Sequence, residues 1–367
     1  MLIFPTTLSI ITTHKCTAAC ADCCFGCTPE VAHGITPAEI SAIISDSESI
    51  ESIRLVVFTG GEAFLLGDKL VKLVAQVTKQ QRFSRIVTNG FWATTKGAAE
   101  RKLYALKEAG LGEINFSTGP EHQKFVPIDR IANGVRAAAL LGIQSAVMIE
   151  LHDGAKIDMR PFESDEIQML IEAGKVILKC SPWMSFTPGE DRRQSDGYRK
   201  ITDGAAQGCS VIYNTITVSP KHRLIACCGL TMEEIPELEI GDLKISTITD
   251  LLRNTPDDIL KTWIHISGPK AIFDYAVTLG IIDKQDLPDH ICAVCRCLYN
   301  SHEMVNKLFQ NGIPEPAKQA VQLYKLSCLM PKPSNSTMLA DFEIMKSISS
   351  WKLTLEILKK ANCQLVN

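Results

Sequence analysis

The sequence predicts an α/β protein, a partial (β/α)6 TIM-like barrel followed by a smaller C-terminal unit with a β-hairpin and helices. Three observations predict it. Short β-branched runs alternate with helical stretches through roughly the first 190 residues; that rhythm breaks after about residue 200; and the cysteines fall into two separated groups, one in each part. Strands alternating with helices imply right-handed crossovers and a parallel sheet. The pattern divides the chain into residues 1–200 for the barrel, 201–312 for a second unit and 313–367 for a helical tail.

LSIITT is the first strand, and the segment from Thr36 to Ile44 reads as a helix, with Thr36 as N-cap, Pro37 in the first turn and Glu39 at the capping-box position. IRLVVFT (53–59) is a strand, followed by an apolar-periodic helix from about Phe64 to Gln76. FSRIVTN (83–89) is a strand, then a helix from Thr95 to Ala109 closed by Gly110. GEINFST (112–118) precedes a helix from Ile128 to Leu141 closed by Gly142. IQSAVMIEL (143–151) is the fifth strand, a short helix spans Ser164 to Ala173, and KVILKCS (175–181) is the sixth strand. Six units suit an open barrel, and in parallel barrels chemistry gathers at the C-terminal ends of the strands. Beyond them, CSVIYNTITVSPKHRLIACC alternates on either side of SPKH and reads as a β-hairpin. From Pro314 the pattern is amphipathic helix, interrupted by the linker-like PKPSNS at 331–336.

Composition narrows the function classes. The chain has 367 residues, 46% hydrophobic and 22% charged, which excludes wholesale disorder. A net charge of −3 offers no basic field for nucleic acid or an anionic membrane. No transmembrane run is present and the first residues do not resemble a secretion signal, so the expectation is a cytoplasmic protein that binds neither membrane nor nucleic acid. The anomaly is 14 cysteines, too many for an average reduced enzyme and too few for a disulfide scaffold. Metal ligation or catalysis is the better reading.

Cys16, Cys20 and Cys23 are spaced C-x3-C-x2-C just past the first strand. A short loop of this kind can wrap three thiolates around one face of a cubane iron–sulfur cluster and leave one iron open. The second strand ends in FTGGEAFL, where Gly60 and Gly61 let the backbone approach a ligand and Glu62 adds a carboxylate. GGE alone is a weak signal; one strand after C-x3-C-x2-C it is a strong one. Cys24 and Cys27 lie nearby and are read as structural.

On these motifs residues 7–190 resemble the radical S-adenosylmethionine (SAM) superfamily. The resemblance implies a 4Fe-4S cluster on Cys16, Cys20 and Cys23 that binds SAM at its open iron and cleaves it to a 5′-deoxyadenosyl radical. It implies that Gly60, Gly61 and Glu62 contact the methionine amine. Thr88, Asn89 and Ser117 would meet the ribose and carboxylate, and Met148 with Glu150 would lie near the adenosine. Where the family often has an aromatic residue before the third cysteine, this chain has Asp22, which leaves the adenine contact unassigned; Phe25 is the substitute in the same loop.

Four thiolates of the second group, Cys209, Cys227, Cys292 and Cys295, could enclose a second cluster, and by spacing alone zinc and iron–sulfur fit equally. Cys227 and Cys228 are adjacent at a strand end and must point in opposite directions, so one of them should face elsewhere. TAACADCCFGCTP, FTGGEAFL, TNGFW, IACCG and ICAVCRCLYNS together resemble the radical SAM peptide epimerases of the epipeptide type. That resemblance implies two 4Fe-4S clusters, the second in a SPASM/twitch-like unit on Cys209, Cys227, Cys292 and Cys295, with Cys297 competing with Cys295. It implies Cys228 as hydrogen donor, a ribosomally made precursor peptide as substrate, and an external electron donor such as flavodoxin or ferredoxin. The adenosyl radical would take the Cα hydrogen of an L-residue, and a thiol would return one from the opposite face. The rivals are a radical SAM maturase forming C–C or thioether crosslinks, and a non-catalytic cluster-binding interaction or sensor protein. Glu121, His122, Arg192 and Arg193 follow strand ends and are weighed equally or less as substrate contacts than as solvated surface. Trp92, Trp183, Cys180, Cys328 and Cys363 are read as packing residues.

Overall fold

The computed structural model describes residues 4–152, 154–186, 208–255, 258–283, 288, 290–300, 302–329 and 364–365. Nine strands form one sheet in the order β10-β9-β8-β1-β2-β3-β4-β5-β7. They are β1 (Thr7–Ile11), β2 (Leu55–Thr59), β3 (Phe83–Thr88), β4 (Glu113–Thr118), β5 (Gln144–Leu151), β7 (Val176–Pro182), β8 (Thr215–Val218), β9 (Arg223–Ile225) and β10 (Glu239–Asp242). A separate parallel pair joins β6 (Lys156–Ile157) to β11 (Gln364–Leu365). All six barrel strands expected from the sequence are present and pair in parallel. The architecture is an open, partial barrel of parallel strands with helices on its outer face.

The hairpin about SPKH is also present, with β8 and β9 antiparallel around a turn in which His222 has φ +60°. It does not stand apart from the barrel. β8 pairs parallel with β1, Thr7 opposite Thr215, so the sheet runs on through a seventh parallel strand into the second unit.

Alternation along the strands divides their residues into two sets. Leu8, Ile10, Val56, Phe58, Ile86, Ile114 and Phe116 are buried under the helices. Each such side chain contributes roughly 1.5–3 kcal/mol by leaving water. The alternate residues, among them Thr7, Ser9, Arg85, Asn115 and Ser117, face the barrel interior and line a cavity. A polar interior in a barrel is costly unless a ligand or water uses it.

The helices cover the outer face. α1 (Pro37–Asp46) carries the full capping box, with Thr36 Oγ1 accepting from Glu39 N at 3.3 Å and Glu39 Oε2 accepting from Thr36 N at 2.8 Å. α2 (Asp68–Lys79) begins four residues later than the sequence suggests. Ala63–Leu66 is instead a 3-10 turn capped by the Glu62 carboxylate, and Gly67 at φ +56° separates it from the helix. α3 (Lys96–Glu108), α4 (Pro120–Gln123), α5 (Ile128–Leu140) and α6 (Asp165–Glu172) follow. In the second unit the helix Ile259–Thr278 bends at Gly268–Pro269, where a proline removes a ladder donor, and Ile291–Asn300 packs beside it. Of the tail, Glu315–Leu329 is helical; PKPSNS, Arg192, Arg193 and Cys363 lie outside the described residues. Among the described residues no helix is long and apolar enough to cross a membrane.

Candidate active site

The loop after β1 is laced to its own far side and to the end of β2. His14 N donates to His33 O at 2.8 Å, and Cys16 N to Thr28 O at 3.1 Å. Gly61 N donates to Thr13 O at 2.7 Å and Glu62 N to Lys15 O at 3.1 Å. The glycine pair is required by this contact. A Cβ on Gly61 would lie 2.2 Å from Lys15 O, and one on Gly60, whose φ is +129°, 2.5 Å from Thr13 O. The sequence suggested glycines that admit a ligand; first of all they admit the cysteine loop. Cys16 Sγ in turn donates to Gly61 O at 3.2 Å, and Asn89 Nδ2 reaches Cys16 Sγ at 3.5 Å and Thr17 Oγ1 at 3.0 Å.

Glu62 has a different position from the one its motif suggested. Its side chain is buried and does not line the cavity. Its oxygens accept from Phe64 N at 3.0 Å, from Asn89 N at 2.9 Å and from Thr88 Oγ1 at 2.9 and 3.0 Å. Burial pushes its carboxyl up to about 7 despite those donors. Glu62 thus fixes the end of β3, where Thr88 and Asn89 do line the cavity. Trp92 supports the same point, donating from Nε1 to Thr88 Oγ1 at 3.0 Å and stacking on Phe64 at 4.3 Å.

Cys16, Cys20 and Cys23 come together at one end of a cavity of about 420 Å³, near enough for their charges to interact. Burial raises the Cys16 and Cys20 thiols, Cys20 to about 12. Cys23 is lowered to about 6, chiefly because the Cys27 thiol donates to it, with the backbone N–H of Cys27 adding to this. Three crowded, partly buried thiols of this kind fit a shared cationic group, which would relieve both repulsion and desolvation. Among the described residues no three potential ligands converge on a single ion.

Phe25, Gly60, Gly61, Thr88, Asn89 and Ser117 all line the same cavity, as do Glu121, His122, Glu150 and Trp183. Met148 does not, although it stands opposite Ser117 in the β4–β5 register. Asp22 turns out to be a strut. Its carboxylate accepts from Phe186 N at 2.8 Å and Ser185 Oγ at 3.1 Å, which brings Phe186 to the cavity wall.

Cys227 and Cys228 diverge as adjacent strand-end residues must. Cys227 is buried, whereas Cys228 opens into the cavity. The Cys228 thiol is accessible only because it faces that hollow. Protein surrounds it, and this desolvation pushes it up to about 11 against the Thr215 hydroxyl that donates to it and the charge of Arg85. Behind it, Cys209, Cys227 and Cys292 interact electrostatically, and Cys295 feels Cys209 and Cys292. Cys292 and Cys295, one helical turn apart on Ile291–Asn300, are pushed up to about 11 and about 12 by burial. The four predicted second-site cysteines are therefore neighbours. Gly229 N donates to Cys227 Sγ at 3.0 Å, and His290 Nδ1 accepts from Cys292 N at 3.1 Å.

Two links tie the cysteine regions together. Buried His14 lies 3.1 Å from Glu233, and Arg296, which pairs with Glu234 at 2.8 Å, sits over the Phe186 ring at 5.9 Å. Sequence reasoning missed Arg85, Asn115 and Thr215, which also line the cavity. The signal was available as polar residues at inward positions of otherwise apolar strands.

Residues 10–143 match the radical SAM superfamily. The peptide biosynthesis protein YydG, so named, of Bacillus subtilis (strain 168) is 24% identical over 323 residues, covering 83% of this chain and 95% of that protein. The crystal structure of Streptococcus suis SuiB bound to S-adenosylmethionine superposes with a TM-score of 0.52 at 13% identity, over 69% of this chain and 66% of SuiB. Native anSMEcpe with bound AdoMet and Cp18Cys peptide is 11% identical over 82% of this chain and 98% of its own, with a TM-score of 0.48. Residues 10–143 thus form a radical SAM domain.

Proposed function

We propose that this radical SAM enzyme is a peptide epimerase that converts L- to D-residues in a ribosomally made peptide, with Cys228 as hydrogen donor. The observation that carries this reading is the single cavity shared by Cys16, Cys20, Cys23 and the Cys228 thiol. The name of YydG supports a peptide as substrate. Cys16, Cys20 and Cys23 hold one 4Fe-4S cluster, with SAM against Gly60, Gly61, Thr88, Asn89 and Ser117. Cys209, Cys227, Cys292 and Cys295 hold the second. When bound and reduced, cluster and SAM supply a 5′-deoxyadenosyl radical that removes the Cα hydrogen.

The chain's own part begins at that point. Desolvation keeps Cys228 protonated at neutral pH, so it offers a hydrogen atom rather than a thiolate. The C–H bond forms on the face opposite the one attacked, and the S–H bond breaks. The resulting thiyl takes one electron from an external donor, such as flavodoxin or ferredoxin, and one proton from solvent to restore the thiol.

Turnover of the precursor peptide in deuterium oxide tests the reading. One deuterium at Cα, one 5′-deoxyadenosine per D-residue and loss of the D-product in Cys228→Ala are expected. A product lighter by two hydrogens would mean a crosslinking maturase. A chain that holds stoichiometric zinc and cleaves no SAM would be an interaction protein.

A further inference from the structure

Within the lower barrel, away from the cysteine loop, two polar atoms are buried without a hydrogen-bonding partner. They are Nε of Arg85 on β3 and Oδ1 of Asn115 on β4. Both residues line the cavity, on adjacent strands, with Arg85 opposite Glu113 and Val87 opposite Asn115. One is a donor and the other an acceptor. A buried polar atom left unpaired costs about 1–3 kcal/mol, so a native structure that keeps two of them on diagonal positions of neighbouring strands, lining one cavity, calls for a ligand.

The chemistry around them restricts that ligand. Arg85 already spends its charge on Glu113, with Nη2 to Oε2 at 2.8 Å. The Nε–H belongs to a guanidinium already paired with a carboxylate, which favours an anion less than an unpaired one would. A carboxylate or phosphate would offer Asn115 Oδ1 no donor and would meet the charge of Glu113. A group carrying one acceptor and one donor at short spacing satisfies both, and a peptide backbone is such a group.

Resting on the epimerase reading, we infer that Arg85 and Asn115 grip the backbone of the residue to be inverted, Nε–H donating to its carbonyl and Oδ1 accepting from its N–H. In an extended residue these two groups leave the chain on the same side, and the Cα hydrogen points to the other. Gripped from below, the Cα hydrogen faces the cysteine loop and the SAM site. Cys228 lines the same cavity as Thr215, which stands level with Phe83 at the start of β3 through the β8–β1–β2–β3 register, and so lies on the gripped side. The grip alone sets which face loses hydrogen and which receives it, whatever side chain the residue bears. Arg85 and Asn115 are binding residues that orient the reaction.

The test uses the reconstituted holoenzyme and a panel of blocked heptapeptides differing in the central residue, with anaerobic calorimetry for affinity and D-residue analysis for turnover. Asn115→Leu and Arg85→Lys are each expected to weaken binding of the best panel member about tenfold, the loss of one hydrogen bond in a desolvated site. Bound iron and the melting temperature of both variants stay at wild-type values, which shows the fold and the clusters intact. Replacing the central amide N–H of the peptide by an ester oxygen weakens wild type by a similar factor and leaves Asn115→Leu unchanged, because that variant has already lost the acceptor. Independent, additive losses from the ester and Asn115→Leu would overturn the grip, as would full affinity in both variants. Failure of the epimerase reading looks different: wild type would bind the peptide and respond to the ester, yet make no D-residue.

Discussion

The two cysteine regions are built in opposite ways. The first is contiguous, three thiols within eight residues, folded against the end of β2 by backbone hydrogen bonds from Gly61 and Glu62. The second is assembled from Cys209, a strand end at Cys227 and a helix carrying Cys292 and Cys295, brought together only by tertiary packing. A local site depends on backbone fit and should fail through a single added atom. An assembled site depends on the fold around it and should lose its metal while the barrel persists.

The largest expected effect is at the contiguous site. Cys16→Ala should abolish 5′-deoxyadenosine formation while the iron of the second site remains; a variant that still cleaves SAM would show that Cys24 or Cys27 completes the triplet. Next, on the proposed assignment of a second 4Fe-4S cluster to Cys209, Cys227, Cys292 and Cys295, Cys292→Ala should remove about half of the bound iron. SAM cleavage should survive and repeated turnover should fail. If SAM cleavage were lost as well, the two regions would not be separable.

Gly61→Ala should be more damaging than its size suggests, because its Cβ would overlap Lys15 O at 2.2 Å. A loss of about 2–4 kcal/mol in unfolding free energy, together with reduced iron loading, is expected from strain of this kind. Gly229→Ala makes the matching comparison in the assembled site, where the added carbon would lie 3.2 Å from both Cys227 Sγ and Cys292 Sγ. It should perturb the second cluster's spectrum and leave SAM cleavage alone.

Glu62→Gln gives a smaller effect with a defined pH dependence. The folded carboxyl is raised from 4.5 to about 7, so the native state binds the proton more tightly than the unfolded chain. The stability this provides is complete below pH 4.5 and is lost as pH rises through about 7, at about 1.4 kcal/mol per unit. The melting temperature of Glu62→Gln relative to wild type should therefore rise with pH across that window. A flat difference would mean that the carboxyl is not desolvated as its burial indicates. The smallest effect is expected at Asp22→Ala, about 1 kcal/mol of unfolding free energy for the lost hydrogen bonds from Ser185 and Phe186, read by denaturant titration.

Much of this was legible in the sequence because the signals are local. The strands alternate, the capping box at Thr36 and Glu39 forms as its spacing requires, and C-x3-C-x2-C followed by GGE reports a loop and the strand that receives it. The divergence of Cys227 and Cys228 follows from strand geometry alone. Less legible was anything set by packing. Glu62 reads as a ligand and lies buried, because its motif does not say which way a carboxylate turns. Met148 faces the barrel's side of the β4–β5 register without reaching the cavity, since reach depends on what stands in front of it. Arg85 and Asn115 carry no motif; only the closing of the sheet brings them together.

The pairing of β8 with β1 has a practical consequence. A fragment ending at residue 200, the natural place to cut by sequence, would strip β1 of its outer neighbour and leave a row of open N–H and C=O groups along Thr7–Ile10, where Thr215–Val218 had paired. Such a raw sheet edge recruits strands from other molecules. The radical SAM half should therefore self-associate when expressed alone, with the rest of the chain acting as its intramolecular cover.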